Sequence, residues 1–145
     1  MCEKILCETK KSLHLSKQQH KLMEDTLSYK VIGCIFEVYH TLGPGLLESV
    51  YESALMHELR SRGIQAKNQV DIDVEYKNIL IPGGFRIDIL VDDQLVIELK
   101  SVDQLKPIHF KQLTTYLKLS HKRVGLLVNF NEADIQKGIR RVVND

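Results

Sequence analysis

Two acids and a lysine, residue types that do chemistry together, fall within the stretch FRIDILVDDQLVIELKS at residues 85–101. Asp88, Glu98 and Lys100 interrupt otherwise apolar runs there. The stretch reads as two short strands joined at Asp92, Asp93 and Gln94, so that Val91 pairs with Leu95. That register sets Asp88 opposite Glu98 and Arg86 opposite Lys100. All four then share one face, because side chains alternate along a strand. Directly opposed side chains have Cβ atoms about 5 Å apart. Two carboxylates that close repel, and burial makes the repulsion worse. Lys100, two residues beyond Glu98, is one group able to offset it. A divalent cation, which takes this kind of oxygen cluster, is the other. A salt-bridged hairpin on a solvent-exposed face, with Arg86 and Lys100 neutralising the acids, is the plainer alternative. Leu90 and Val96 on the charged face argue against it, since partly covered charge is costly unless it is used. Ile87, Ile89, Val91, Leu95, Ile97 and Leu99 are expected to line the opposite face.

The elements around this hairpin follow from hydrophobic period. Leu27, Val31, Ile35 and Val38, with Ile32, Phe36 and Tyr39 beside them, predict a helix ending near His40, before the Gly43-Pro44-Gly45 break. Leu47, Val50, Tyr51, Ala54, Leu55 and Leu59 predict a second helix capped by Gly63. Residues 70–76, VDIDVEY, alternate strictly and predict a half-buried strand. Ile79–Ile81 read as a short return strand and Pro82-Gly83-Gly84 as a loop. Residues 101–120 return to helical spacing, with Pro107 in the first turn. RVGLLVNF reads as a buried strand, and residues 131–143 as a closing helix with Asn131 as N-cap. The order implies an α/β domain around a small mixed sheet.

The 145 residues, 43% of them hydrophobic, suit one domain, and the net charge of +1 selects no partner. Charge is informative only locally. Lys100, Lys106, Lys111, Lys118, Lys122 and Arg123 lie within one stretch that contains a single acid, Asp103. Such a cluster suits phosphate as well as it suits a solvated helix face. Cys2, Cys7 and Cys34 match no disulfide frame or zinc pattern, and no apolar run is long enough to span a membrane. A reducing cytoplasmic setting is the expectation. Residues 1–24 read as a polar extension and residues 25–145 as the domain.

Asp88, a short turn, then Glu98-Leu99-Lys100 on the next strand resemble the core signature of the PD-(D/E)XK nuclease superfamily, with Ile87 at the loosely kept proline position. GLLESVY carries Gly45-x-x-Glu48-x-x-Tyr51, which resembles the motif of the bacterial GxxExxY protein family. QLTTY carries Gln112-x-x-x-Tyr116, similar to a helix motif of RecB-type exonucleases. The resemblance runs from about Leu27 to the C-terminus. It implies a restriction-endonuclease-like α/β core, a small mixed sheet flanked by helices. It also implies a nuclease that hydrolyses phosphodiester bonds, of DNA first, with Mg²⁺ or Mn²⁺. Asp88, Glu98, the Leu99 carbonyl and Glu48 would hold the metal. Lys100 would orient water or steady the phosphate, and Gln112 would bind beside the lysine. Tyr116, His109, Lys111 and Arg86 would contact substrate. Superfamily members that have lost catalysis keep open a binding module for nucleic acid or a protein partner, and so short a chain suits a homodimer or subunit. No membrane partner is expected. Glu52, one helical turn from Glu48, competes with it for the metal role but lies outside the motif.

Overall fold

The computed structural model describes residues 25–145; the extension expected at residues 1–24 lies outside them. Helix α1, residues 25–42, runs two residues beyond the expected end. Its apolar stripe, Val31, Ile35 and Val38, is buried, and Gly43 stops it with φ 69° and an N–H that donates to the Tyr39 carbonyl at 2.7 Å. Helix α2, Glu48–Ser61, buries Tyr51, Leu55, Met56 and Leu59. Leu47 and Val50, expected in that stripe, are exposed instead. Leu47 is the N-cap residue, outside the helix proper. The chain leaves α2 as expected through Gly63 at φ 72°, with the Ile64 N–H returning to the Leu59 carbonyl at 2.9 Å.

Five strands follow in the order β1-β2-β3-β4-β5: β1 Ala66–Tyr76, β2 Ile79–Val91, β3 Leu95–Lys100, β4 Val124–Asn129 and β5 Ile139–Val143. Every neighbouring pair is antiparallel except β3 and β4. That parallel pair needs a crossover, supplied by α3, Pro107–Ser120, with Pro107 in its first turn. Residues 82–84 are not a loop. β2 runs through them on a bulge in its pairing with β1, between Ile72 and Val74. The Gly83 N–H donates to Asp73 Oδ1 at 2.9 Å, and Gly84 lies so close to Val74 that a Cβ there would strike its side chain. A bulge accepts the proline that a regular ladder would reject.

The closing helix is also corrected. Only α4, Ile135–Gly138, is helical, and Asp134 rather than Asn131 caps it, accepting from the Gln136 N–H at 3.1 Å. The β-branched end of the chain pairs instead with the free edge of β4, where ladder bonds outweigh a weak helical period.

The sheet separates two apolar layers. Ile89, Val91, Leu95, Ile97 and Leu99 pack with α1 and α2, whereas Ile87, Leu90, Val96 and Leu127 pack with Leu113 and Leu117 of α3. Ile87, expected beside Ile89, lies on the other side. Alternation breaks between them, where Gln69 of β1 takes φ 51° and drops out of the β1–β2 register. No described helix is long and apolar enough to cross a membrane.

Candidate metal centre

The break in alternation falls at Asp88. The β2–β3 ladder has the expected turn and register, with Val91 paired to Leu95, but it ends at Ile89 and Ile97. Beyond that point the two acids replace the missing rungs. The Leu99 N–H donates to Asp88 Oδ2 at 2.8 Å, and the Asp88 N–H donates to Glu98 Oε1 at 3.4 Å. The strands therefore separate where the carboxylates enter, which is how two acids fit where a regular pair would force them together.

Burial sets the electrostatics. Glu98 is only 4% exposed. Loss of water, then the neighbouring Asp88 carboxylate, push its carboxyl up from 4.5 to about 8, against smaller lowering effects of the Asp88 N–H and Lys100. Desolvation also raises Asp88, opposed by the Leu99 N–H and Lys100 and reinforced by Glu52 and Glu48. The site prefers to keep a proton or gain a cation.

Arg86 is not that cation. It turns to β1 and binds Asp71 Oδ1 at 2.7 Å on an exposed surface, so the expected neutralisation of the acids by Arg86 is replaced by a separate ion pair. Lys100 does face the site. Its Nζ donates to Gln112 Oε1 at 3.3 Å, and Gln112 Nε2 donates to the Tyr116 hydroxyl at 2.9 Å. The ring of Tyr116 stacks on Phe85, with centroids 4.4 Å apart. Its hydroxyl is raised first by desolvation, then by Glu98. The Gln112-x-x-x-Tyr116 spacing thus places an amide and a phenol in one chain of hydrogen bonds that begins at the lysine.

The Gly45-x-x-Glu48-x-x-Tyr51 stretch divides its work. Tyr51 is fully buried and stacks on Phe130 at 4.3 Å. Its hydroxyl donates to the Gly43 carbonyl at 2.6 Å and accepts from the Leu46 N–H at 3.1 Å, which folds the 43–46 turn onto the helix. Glu48, in the first turn of α2, accepts from the Ser101 N–H at 3.3 Å, just beyond Lys100. Glu52 is nearer the chemistry than an inert neighbour would be. Its two oxygens accept from Asn68 Nδ2 at 3.0 Å and Gln69 Nε2 at 2.8 Å, and its charge acts on Asp88.

The outer residues of the helix are less engaged. His109 Nδ1 accepts from the Lys106 N–H at 3.0 Å, so the ring caps α3. Lys111 is exposed on the same helix. Sequence reasoning missed Ser101 and Asn129. A polar side chain closing the apolar run of β4 was the available signal for Asn129, whereas nothing marked Ser101.

The donor set is hard oxygen with an ammonium beside it, which fits Mg²⁺ or Mn²⁺ and not a soft metal. Among the described residues no three His, Cys, Asp or Glu side chains are grouped closely enough to cage an ion. Backbone N–H groups hold one oxygen of Asp88, Glu98 and Glu48 instead.

Comparison with curated proteins gives no match, and comparison with solved structures gives none either. Residues 25–142 match the sequence profile of the PD-(D/E)XK nuclease superfamily, a span that includes every helix, the sheet but for the last residue of β5 and every residue of the site just described. The chain belongs to the PD-(D/E)XK nuclease superfamily.

Proposed function

We propose that this protein is a metal-dependent nuclease of the GxxExxY branch, cleaving phosphodiester bonds of DNA. The carboxylate pair spliced into the end of the β2–β3 ladder carries the reading. Buried acids that replace ladder bonds weaken a sheet, so their place is better explained by a ligand than by stability. The superfamily's nucleases generally use divalent metal ions.

Asp88 and Glu98, with the Leu99 carbonyl, would hold Mg²⁺ or Mn²⁺, and Glu48 would complete the set. The ion supplies a lowered pKa for water and positive charge against the phosphate. Lys100 presents a second positive charge to the phosphate, kept in line by Gln112. Tyr116, steadied by Phe85, lines the path of the strand. Lys111 and Lys118 offer charge to the phosphate backbone on either side, with His109 and Arg86 at the margin. A second copy of the chain or a partner protein would supply recognition. A free, buried Cys34 suits the cytoplasm.

A second reading is favoured by the N–H groups that occupy all three carboxylates: the same fold kept as a nucleic-acid-binding module without turnover. One experiment decides. Mn²⁺ binding by calorimetry and cleavage of single- and double-stranded DNA and of RNA are measured for wild type and Asp88→Asn. The nuclease reading expects Mn²⁺ affinity and cleavage in wild type and neither in the variant. Nucleic-acid binding with no cleavage of any substrate in Mg²⁺ or Mn²⁺ establishes the module.

A further inference from the structure

Nothing in α2 aims Glu48 at the sheet. It occupies an exposed first turn between exposed Leu47 and Val50. Its direction comes from Ser101. The Ser101 N–H donates to Glu48 Oε1 at 3.3 Å, and Ser101 Oγ donates to the Leu46 carbonyl at 2.7 Å. One residue therefore grips both the carboxylate and the turn that starts its helix.

Ser101 has left β3, and a chain leaving a strand wanders unless something ties it. Asn129, 0% exposed, is the tie. Its side-chain oxygen accepts from the Val102 N–H at 3.1 Å and the Asn131 N–H at 3.2 Å, and its amide donates to the Val102 carbonyl at 2.9 Å. Both backbone groups of Val102 are thus held by one side chain. The Phe130 N–H holds the Lys100 carbonyl at 2.9 Å on the other side of Ser101. A buried amide among Val, Gly and Leu is costly unless satisfied, and this one spends two of its three bonds on the residue next to Ser101.

We infer that Asn129 and Ser101 form a positioning relay for Glu48: Asn129 fixes Val102, Val102 fixes Ser101, and Ser101 holds the carboxylate at the end of the strand that carries Glu98 and Lys100. Neither residue touches the reacting atoms. The inference rests on the metal-dependent reading of the site.

The relay is tested by Mn²⁺ calorimetry at neutral pH on the full chain, with Ser101→Ala and Asn129→Ala each made alone and together with Glu48→Gln. Asn129→Ala should weaken Mn²⁺ binding by about 10-fold and Ser101→Ala by about 3-fold, as lost support around a ligand does. Ser101→Thr, which keeps the hydroxyl, should restore affinity. In the Glu48→Gln background both losses should vanish, because residues acting through one group are not additive. A merely structural role would weaken binding equally in both backgrounds, and that result overturns the relay. Wild-type affinity in Ser101→Ala also overturns it, and this variant carries the test if Asn129→Ala does not fold. Mn²⁺ binding that Asp88→Asn abolishes but Ser101→Ala leaves intact removes the relay alone. A wild type without Mn²⁺ affinity removes both the relay and the metal reading.

Discussion

Strand β2 carries two charged side chains two residues apart, and they behave differently. At Arg86 it meets Asp71 of β1 in an ion pair whose side chains are 58% and 59% exposed. Two residues later Asp88 meets Glu98 under cover, with the ladder opened around them. Residue types alone would rank the first as attraction and the second as repulsion. Burial and the position of the break reverse their importance. Water already satisfies the exposed pair, so little depends on it. The covered pair has only backbone N–H groups, a proton or a cation to turn to.

The largest expected effect separates the two cations on these strands. Lys100→Ala should lower cleavage by about 10²-fold or more, the scale of losing a charge aimed at a developing one. Mn²⁺ affinity should change little, since an ammonium has no lone pair to give a metal. Arg86→Ala should leave the turnover rate near wild type. Single-turnover cleavage with Mn²⁺ binding measured alongside reads both. If Lys100 mainly offsets the acids, its loss will instead lower the melting temperature sharply and tighten Mn²⁺ binding, and the proposed role in cleavage fails.

Next in size is a dependence on pH that only the covered pair should show. The unfolded chain releases the Glu98 proton near 4.5, whereas the folded protein holds it to about 8. Between those values the folded state binds the extra proton. This group's contribution to stability is therefore fullest at low pH, falls as pH rises through the window and levels off above about 8. Asp88, also raised, adds the same sign. Metal binding runs the other way. It requires both carboxylates ionised, so Mn²⁺ affinity should climb across the same window with release of protons. Melting curves of wild type and Glu98→Gln, with and without Mn²⁺, measure both trends. Parallel curves for the two proteins without metal would mean that Glu98 is not held protonated.

The contrast also shows what is legible in the sequence. The turn at Asp92–Gln94 and the pairing of Val91 with Leu95 follow from local chemistry, so the approach of Asp88 to Glu98 can be read from residue order alone. Gln112 and Tyr116 share a helix face by spacing, whereas the place of Gln112 beside Lys100 comes from the family resemblance. The break in alternation is hidden, because Gln69 looks like any strand residue although its backbone is left-handed and unpaired with β2. Ile87 falls on the unexpected face for that reason. Residues 131–143 mislead because their pairing with β4 is a tertiary fact that overrides a local period. Glu52 is easily underrated because its hydrogen-bond partners, Asn68 and Gln69, lie on β1 and carry no motif.

The smallest expected effect lies at the exposed pair, and it sharpens the comparison most. Asp71 and Arg86 meet at 2.7 Å, yet both are more than half exposed. Such pairs contribute roughly 0.2–1 kcal/mol and fade as salt screens them. A double-mutant cycle with Asp71→Asn and Arg86→Ala should give a coupling of about 0.5 kcal/mol that shrinks at high salt. Asp71→Asn should leave Mn²⁺ affinity at the wild-type value, where Asp88→Asn removes it. The same variant tests whether Arg86 meets nucleic acid. Freed from Asp71, the guanidinium should bind phosphate more strongly, so Asp71→Asn should tighten DNA binding and steepen its salt dependence, and Arg86→Ala should loosen it. Unchanged DNA binding in both variants would leave Arg86 as a surface ion pair alone. A coupling several times larger, or a loss of Mn²⁺ affinity in Asp71→Asn, would mean that the field of the site extends across the break at Asp88, and the two pairs would then form one electrostatic unit.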